Sequence, residues 1–267
     1  MKEKFIKKAI YIITIIILAT LLVFLCKKTY ENLLRKKTFE SSTISFAEKN
    51  EKIIFSINKI TFFSSCDSKN KTSSKTNFTI ENLYAYTDIA IFINNNSEEN
   101  TTENTLKKVK ISNIKFIKEP IMGKANLYYK SIENFSKSEI NEENIINKEL
   151  EFQITSEESD FSKPILFNNC ANPITLSYIN QNIITDYTMT DTQNPITYDG
   201  KLLKRCGISK ENINASISFD IEIENNKNQK FRTSIYFDIP YESEEKTIDD
   251  GNIILNKNTN FNFYRYE

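Results

Sequence analysis

Hydrophobic and polar residues alternate strictly along residues 213–224. Apolar side chains occupy every second position from 217 to 223, and Ser, Asp or Glu occupies the positions between them. Residues 231–239 repeat the pattern, and the polar sequence NNKNQK at residues 225–230 separates the two runs. Because successive side chains of a strand point to opposite faces, this pattern predicts an antiparallel hairpin with one buried face.

Shorter apolar runs bounded by polar tracts predict further strands. They lie at residues 52–63, 78–94, 106–118, 125–131, 148–155, 165–167, 253–255 and 261–266. The run at 78–94 is the most apolar and predicts two short strands or one long bent strand. The polar residues 64–77 and 94–105 predict loops.

Three local sequence patterns predict two hairpins and one short helix. Two apolar runs within residues 173–187 flank residues 180–182 and predict a hairpin. Asp199-Gly200 suits the positive backbone angles of a second hairpin turn, between residues 196–198 and 201–203. Ser138 with acidic residues after it predicts a short helix over residues 138–146.

This series of short strands and turns predicts a mainly β chain with an antiparallel, immunoglobulin-like sandwich of one or two domains. The expected β-rich domains or halves are residues 52–156 and 157–267, with a break between residues 156 and 172. The sequence has no Gly-rich strand-to-helix turn, which argues against a parallel α/β fold.

Residues 9–26, AIYIITIIILATLLVFLC, contain no charge and predict a single transmembrane helix that contacts membrane lipid. At about 1.5 Å per residue this helix would span about 27 Å, close to the hydrocarbon thickness of a bilayer. Lysines flank both ends of the run. We expect residues 1–8 to be a short basic cytoplasmic tail, and residues 27–51 to be a juxtamembrane helix and stalk.

A cleaved secretion signal is the main competitor for this run. The length of the apolar run and the lack of a small-x-small pair after it favour an uncleaved anchor, and Leu25 before Cys26 argues against lipoprotein processing. The charges flanking the run nearly balance. A short basic tail ahead of a first hydrophobic segment favours a cytoplasmic N-terminus, so we expect an extracytoplasmic C-terminal domain on the cell membrane.

Composition excludes most common active sites. The chain has no histidine and only four glycines, so it can form neither a histidine-dependent nucleophile system nor a Gly-rich phosphate loop. We expect no catalytic residues, no cofactor and no metal site. A carboxylate-dependent hydrolase remains the enzymatic alternative. Its candidate acids are Asp220, Glu222, Glu224, Asp249 and Asp250.

Charge argues against nucleic acid as a partner. Beyond residue 28 the chain has 29 basic and 34 acidic residues, because six of its 35 basic residues and one of its 35 acidic residues come earlier. Residues 106–118 nevertheless include a group of lysines: Lys107, Lys108, Lys110, Lys115 and Lys118. We interpret them as the solvated edge of a sheet, with a contact for an anionic surface polymer as the alternative.

Three cysteines follow the apolar run: Cys66, Cys170 and Cys206. Cys170 with Cys206 is the candidate disulfide if the domain lies outside the cytoplasm. Three buried free thiols are the alternative.

Together these patterns predict a membrane-anchored, non-enzymatic, extracytoplasmic β-domain protein. The bias of the sequence toward Ile, Asn and Lys is typical of an AT-rich bacterial genome. The expected role is a binding or structural module of a bacterial cell envelope, with an unknown protein or envelope partner. The alternatives are the membrane-tethered hydrolase and a cytoplasm-facing interaction module with reversed topology.

Overall fold

A computed structural model describes residues 53–69, 78–97, 104–156, 163–189 and 196–266, together with the single positions 20, 22 and 25. These three positions, Thr20, Leu22 and Leu25, are helical and exposed. The rest of the predicted anchor at 9–26, the tail at 1–8 and the stalk at 27–51 lie outside the described residues. Within the described ranges, no helix has both the length and the apolar character needed to cross a membrane.

Residues 52–267 make up one compact unit and residues 1–51 a second. The strands described in the larger unit are β1 Phe55–Ser68, β2 Phe78–Asn95, β3 Leu106–Lys118, β4 Lys124–Tyr129, β5 Leu150–Thr155, β6 Ile165–Phe167, β7 Ile174–Met189, β8 Ala215–Asn225, β9 Lys230–Ile239, β10 Ile253–Asn262 and β11 Tyr264–Arg265. Two short helices, α1 Lys201–Arg205 and α2 Lys210–Ile213, lie between β7 and β8. Single 3-10 turns lie at Ile132–Asn134, Glu142–Asn144 and Ile248–Asp250.

The strands form two sheets, which confirms the expected mainly β fold. A five-stranded sheet has the order β10-β1-β2-β7-β4, and a six-stranded sheet has the order β11-β9-β8-β3-β5-β6. The strand pairs are antiparallel except for β5 with β6, which is parallel. Both sheets take strands from either side of residue 156.

The two sheets pack face to face through aromatic and aliphatic side chains. Phe55 on β1 meets Phe231 on β9 edge-on, with ring centroids 5.5 Å apart, and Phe62 meets Phe237 in the same way at 5.1 Å. These side chains belong to the first core cluster, which takes buried residues from both sheets. The result is a sandwich-like arrangement that removes both inner faces from water.

A second core cluster lies on the five-stranded sheet beyond the first. Sheet residues such as Cys66, Leu83 and Ile183 pack there against Leu202 and Leu203 of α1. All five side chains are buried. The short helices therefore cover a part of the five-stranded sheet that the six-stranded sheet does not cover. For this reason the connection between β7 and β8 packs against the five-stranded sheet.

The predicted hairpin of alternating residues is present as β8 and β9. Ile217 lies opposite Phe237, and Phe219 lies opposite Ile235. The apolar side chains of β8 face the first core cluster, and the acidic ones face outward. Period-two alternation predicted this element correctly because one face is buried and the other is solvated.

Two predicted hairpins are wrong. Residues 174–189 form the single strand β7, in which Asn180 is fully buried and pairs with both β2 and β4. Asp199-Gly200 begins α1 instead of a hairpin turn. Gly200 has a φ of −54°, and the Asp199 carboxylate accepts a hydrogen bond from the Lys201 amide at 2.9 Å. Glycine is needed there for close approach, because a Cβ would lie 1.9 Å from the Ile248 carbonyl oxygen.

The predicted helix at 138–146 and part of the predicted loop at 64–77 are also wrong. Only Glu142–Asn144 forms a helical turn within the first range, because its apolar residues pack onto the outer face of the five-stranded sheet. Residues 64–68 continue β1, where Asp67 is buried despite its charge. Pairing with β2 extends β1 to Ser68 opposite Leu83.

Strand β3, which holds the lysine group, is not a sheet edge. It pairs with β8 on one side and, at Val109–Ile111, with β5 on the other. Three of its five lysines pair with acids on or next to those strands: Lys107 binds Glu224 at 2.6 Å, Lys108 binds Glu151 at 2.8 Å, and Lys110 binds Glu149 at 3.4 Å. Much of the positive charge is therefore neutralised within the sheet, which weakens the case for an anionic polymer here.

Candidate functional site

The segment between β4 and β5 lies over the outer face of the five-stranded sheet. We call residues 130–146 the cover segment. Its side chains Phe135, Ile140 and Ile145 pack against a third core cluster on that face, formed by Phe63, Tyr84, Tyr86, Tyr128 and Ile179. The Tyr84 hydroxyl donates to the Ser138 carbonyl oxygen at 2.8 Å, and Ile146 N donates to the Leu127 carbonyl oxygen at 2.9 Å. The cover segment is thus held by side-chain and backbone bonds.

A buried ion pair fixes the start of the cover segment. The Lys130 ammonium donates to both carboxylate oxygens of Asp88 at 2.9 Å, and the two side chains are 6% and 0% exposed. The same ammonium donates to the Lys137 carbonyl oxygen and lies 5.0 Å from the centre of the Tyr86 ring. Burial of both charges is tolerated because each has several partners.

Asp88 accepts two further hydrogen bonds. The Ser177 hydroxyl donates at 2.6 Å, and the Ser136 amide donates at 2.8 Å. Ser136 has a φ of +67°, in the left-handed region that few non-glycine residues adopt. Burial raises the pKa of Asp88, while Lys130 and the other hydrogen bonds oppose that rise. The carboxylate therefore joins β2, β7 and the cover segment.

Between the cover segment and the sheet lies a cavity of about 390 Å³, which we call the outer pocket. Serine and asparagine side chains form the largest group in its lining: Ser131, Asn134, Asn141, Asn144 and Ser177. Tyr128, Tyr129, Ile140 and Ile179 contribute rings and aliphatic surface, and Lys130 and Glu139 contribute charges. The volume falls in the range of small-molecule sites.

A hydrogen-bonded triad connects the edge of the sheet to the cover segment beside this pocket. The Gln181 amide donates to the Tyr128 hydroxyl and to Glu142, both at 2.7 Å. The Tyr128 hydroxyl in turn donates to Glu142 at 3.2 Å. Burial, followed by the Glu142 charge, raises the pKa of Tyr128 to about 12, so this phenol stays protonated at neutral pH.

The acids proposed for a hydrolase occupy two separate surfaces. Glu222 accepts from Ser112 at 2.6 Å and from Tyr266 at 3.1 Å. Asp220 accepts from Ser234 and from Asn113 at 2.7 Å, and Glu224 pairs with Lys107. These three acids lie on the outward face of β8, whereas Asp249 and Asp250 lie in the turn at Ile248–Asp250. None of the five lines the outer pocket.

The three cysteines in the described part of the chain do not pair with one another. Cys66, Cys170 and Cys206 are free thiols, and Cys66 and Cys206 are buried. Cys170 packs against the first core cluster, whereas Cys206 belongs to the second. The pairing of Cys170 with Cys206 stays a prediction. In the described part of the chain, no group of three or more Cys, Asp or Glu side chains is placed to hold a metal ion.

Comparisons with known proteins found no match among family models, curated proteins or solved structures. The outer pocket was not predicted from the sequence. One signal was available: Asp88 is a charged residue in the middle of the most apolar run outside residues 9–26. A charge in that position needs a buried partner. The partner, Lys130, is 42 residues away, beyond the reach of local patterns.

Proposed function

We propose that this chain is a membrane-anchored, non-enzymatic binding protein of the bacterial cell envelope, and that its ligand is an uncharged sugar unit held in the outer pocket. The observation that carries the proposal is the composition of that pocket. Five uncharged hydroxyl or amide side chains line it together with two tyrosines. Hydroxyl-rich ligands need this combination of hydrogen-bonding groups and aromatic surface.

The charges around the pocket favour a neutral ligand. Lys130 is already bonded to Asp88, so its ammonium is not available to an anionic ligand without breaking a buried pair. The other charged residue of the lining, Glu139, is acidic, and Glu142 lies in the adjacent triad. An anionic polymer would therefore meet repulsion at this pocket.

The hydrolase alternative receives less support. A carboxylate mechanism needs two acids facing one ligand across a cleft. Asp88 beneath the pocket already accepts bonds from Lys130, Ser136 and Ser177. That leaves Glu139 as the one acid among the described residues that line the pocket. A single such acid suits binding better than acid–base chemistry.

The proposal also includes the membrane anchor and the type of β fold. The apolar run at 9–26 and its flanking lysines support a membrane anchor with the domain outside the cytoplasm. The two packed sheets support a sandwich. An immunoglobulin-like arrangement has less support, because the eleven strands described here and their order differ from the seven or nine strands of that fold.

Ligand binding is tested with the full chain in detergent micelles. Titration calorimetry against neutral envelope oligosaccharides should show saturable binding, and mass spectrometry should show the sugar unchanged afterwards. Asn144→Ala, in the lining, should weaken binding about fivefold for one lost hydrogen bond. The matched control Asn258→Ala, on the exposed side of β10, should not weaken binding.

Binding of an anionic polymer or a peptide instead of a sugar, or binding equal in both variants, would refute the assignment. Cleavage of the sugar would favour the hydrolase.

Topology is tested at an exposed position. Ile254 on β10 is 57% exposed, so Ile254→Cys offers a thiol that the buried Cys66 and Cys206 do not. A membrane-impermeant maleimide should label this variant in intact cells, well above the wild type. Label that appears only after lysis would favour the cytoplasm-facing interaction module.

A further inference from the structure

Two cysteines that are far apart in the sequence lie in the same core cluster. Cys66 is near the end of β1, and Cys206 caps the C-terminal end of α1. Both belong to the second core cluster, where they are 0% and 5% exposed. Helix α1 packs directly on β1, which brings the two residues to the same side of the five-stranded sheet.

The electrostatics of the two thiols agree with this proximity. Burial raises the pKa of the Cys66 thiol well above its usual value, and the neighbouring Cys206 raises it further. Burial also raises the pKa of Cys206, to about 11. This effect of Cys206 on Cys66 agrees with the packing of α1 on β1, whereas the causes of the shift at Cys206 are burial and the opposing charge of Arg205.

Cys170 has a different environment. It follows β6 in a tight turn, with a φ of +61°, and packs against the first core cluster. Burial raises its pKa to about 12, and no effect of another cysteine contributes to that rise. A bridge from Cys170 to Cys206 would have to connect the two clusters, whereas a bridge from Cys66 to Cys206 would lie within one.

We propose that Cys66 and Cys206 form the disulfide bond of this domain when the chain folds in an oxidising compartment. The oxidant is a disulfide, such as that of a thiol oxidoreductase or oxidised glutathione. One cysteine thiolate attacks it, forms a mixed disulfide and releases one oxidant thiol. The second cysteine thiolate then displaces the other oxidant thiol. The two cysteines lose two electrons and two protons, and the oxidant is reduced to two thiols.

Burial has a consequence for when this bond forms. Attack requires the thiolate, and the raised pKa values keep both buried groups protonated near neutral pH. The bond therefore forms before the second cluster closes, and once formed it is protected from reductants in water. It joins β1 to α1 across the intervening chain, which restricts the unfolded state.

The test is refolding of the full chain in detergent micelles. Reduced, denatured protein is refolded with oxidised and reduced glutathione, then denatured, alkylated and digested. We expect one cross-linked peptide pair that contains Cys66 and Cys206, an intact mass about 2 Da lower before alkylation, and alkylated Cys170.

Cys170→Ser should keep the cross-link, and Cys66→Ser or Cys206→Ser should abolish it. An intramolecular bridge to Cys170 or Cys26, or full alkylation of all four cysteines of the chain, would overturn the proposal. Because the wild-type map decides the pairing, a serine variant that fails to fold does not prevent the test.

Discussion

Lys130 reaches across strand β7 to Asp88. Ser177 on β7 lies opposite Asp88 on β2 and opposite Tyr128 on β4, so the ion pair crosses β7 from β2 to the residue that follows β4 by one position. The ammonium and the carboxylate are both shielded from solvent. A charge pair in this position holds the cover segment in one register over the sheet.

Removing one member of the pair should destabilise the domain strongly. We expect Asp88→Ala to lower the free energy of unfolding by about 3–5 kcal/mol, because it leaves the Lys130 ammonium buried without its counter-ion. Denaturant unfolding of the full chain in micelles measures this loss. Asp88→Leu combined with Lys130→Met removes both charges, and should recover much of the stability. A double variant less stable than Asp88→Ala would contradict this explanation.

Alanine substitutions at two glycines with positive φ distinguish the cost of backbone strain from the cost of a steric clash. Gly123, at a φ of +90°, would place a Cβ 2.1 Å from the Asn180 Oδ1 atom and 2.8 Å from the Gln181 carbonyl oxygen. Gly207, at +71°, would place its Cβ in open space. Gly207→Ala should cost about 1–2 kcal/mol of stability from backbone strain alone. Gly123→Ala should cost clearly more, and equal unfolding midpoints for the two variants would refute the clash.

Glu222 should make stability depend on acidic pH. Burial alone raises its pKa, but the Ser112 hydroxyl, Arg232, Lys110 and Tyr266 together hold it below the usual 4.5. The folded state therefore binds the proton less tightly than the unfolded state does. The stabilisation from Glu222 is complete above about pH 4.5, and is lost as the pH falls through the folded pKa.

Glu222→Gln should flatten this part of the stability curve. The measurement is the free energy of unfolding of the wild type and the variant at several pH values below neutrality. Ser112→Ala removes one of the bonds that lower the pKa, and should give an intermediate slope. Identical slopes in the wild type and Glu222→Gln would show that other carboxylates account for the acid sensitivity.

Tyr84 should control the local stability of the cover segment. Its hydroxyl donates to the Ser138 carbonyl oxygen, and Tyr84→Phe should cost about 1 kcal/mol and speed amide hydrogen exchange in residues 130–146. Tyr236 provides the control. Its hydroxyl donates a hydrogen bond to Asp238, and Tyr236 is 48% exposed. Tyr236→Phe should leave exchange in residues 130–146 unchanged, and equal exchange in both variants would contradict the role of Tyr84.

The alternation of apolar and polar residues predicted the strands that have one face in the core and the other face in water. The hairpin of β8 and β9 alternates because Ile217 and Ile221 face the core while Asp220 faces outward. Strand β7 was misread as a hairpin, because Asn180 looks like a turn residue and is in fact a buried residue of a strand paired on both sides.

The outer pocket could not be predicted, because its parts meet only through tertiary contacts. Asp88, Lys130 and Ser177 lie on β2, after β4 and on β7, and none of the three belongs to a motif that local spacing detects. The wrong prediction of a helix over residues 138–146 has a related cause. Ile140 and Ile145 pack on the sheet below them, and this packing overrides the local helix signals.

The pairing of β1 with β10 has a consequence for biosynthesis. Ser64 lies opposite Ile253 and Ser56 opposite Asn262, so one long side of β1 finds its partner only after roughly 190 more residues have been made. At ribosomal rates that is roughly 10–40 s during which a strand rich in Ile and Phe has an unpaired edge. A nascent chain in that state is open to non-native strand pairing. We therefore expect production of this protein to depend on a holding chaperone, and to respond to translation rate more than its folded stability would suggest.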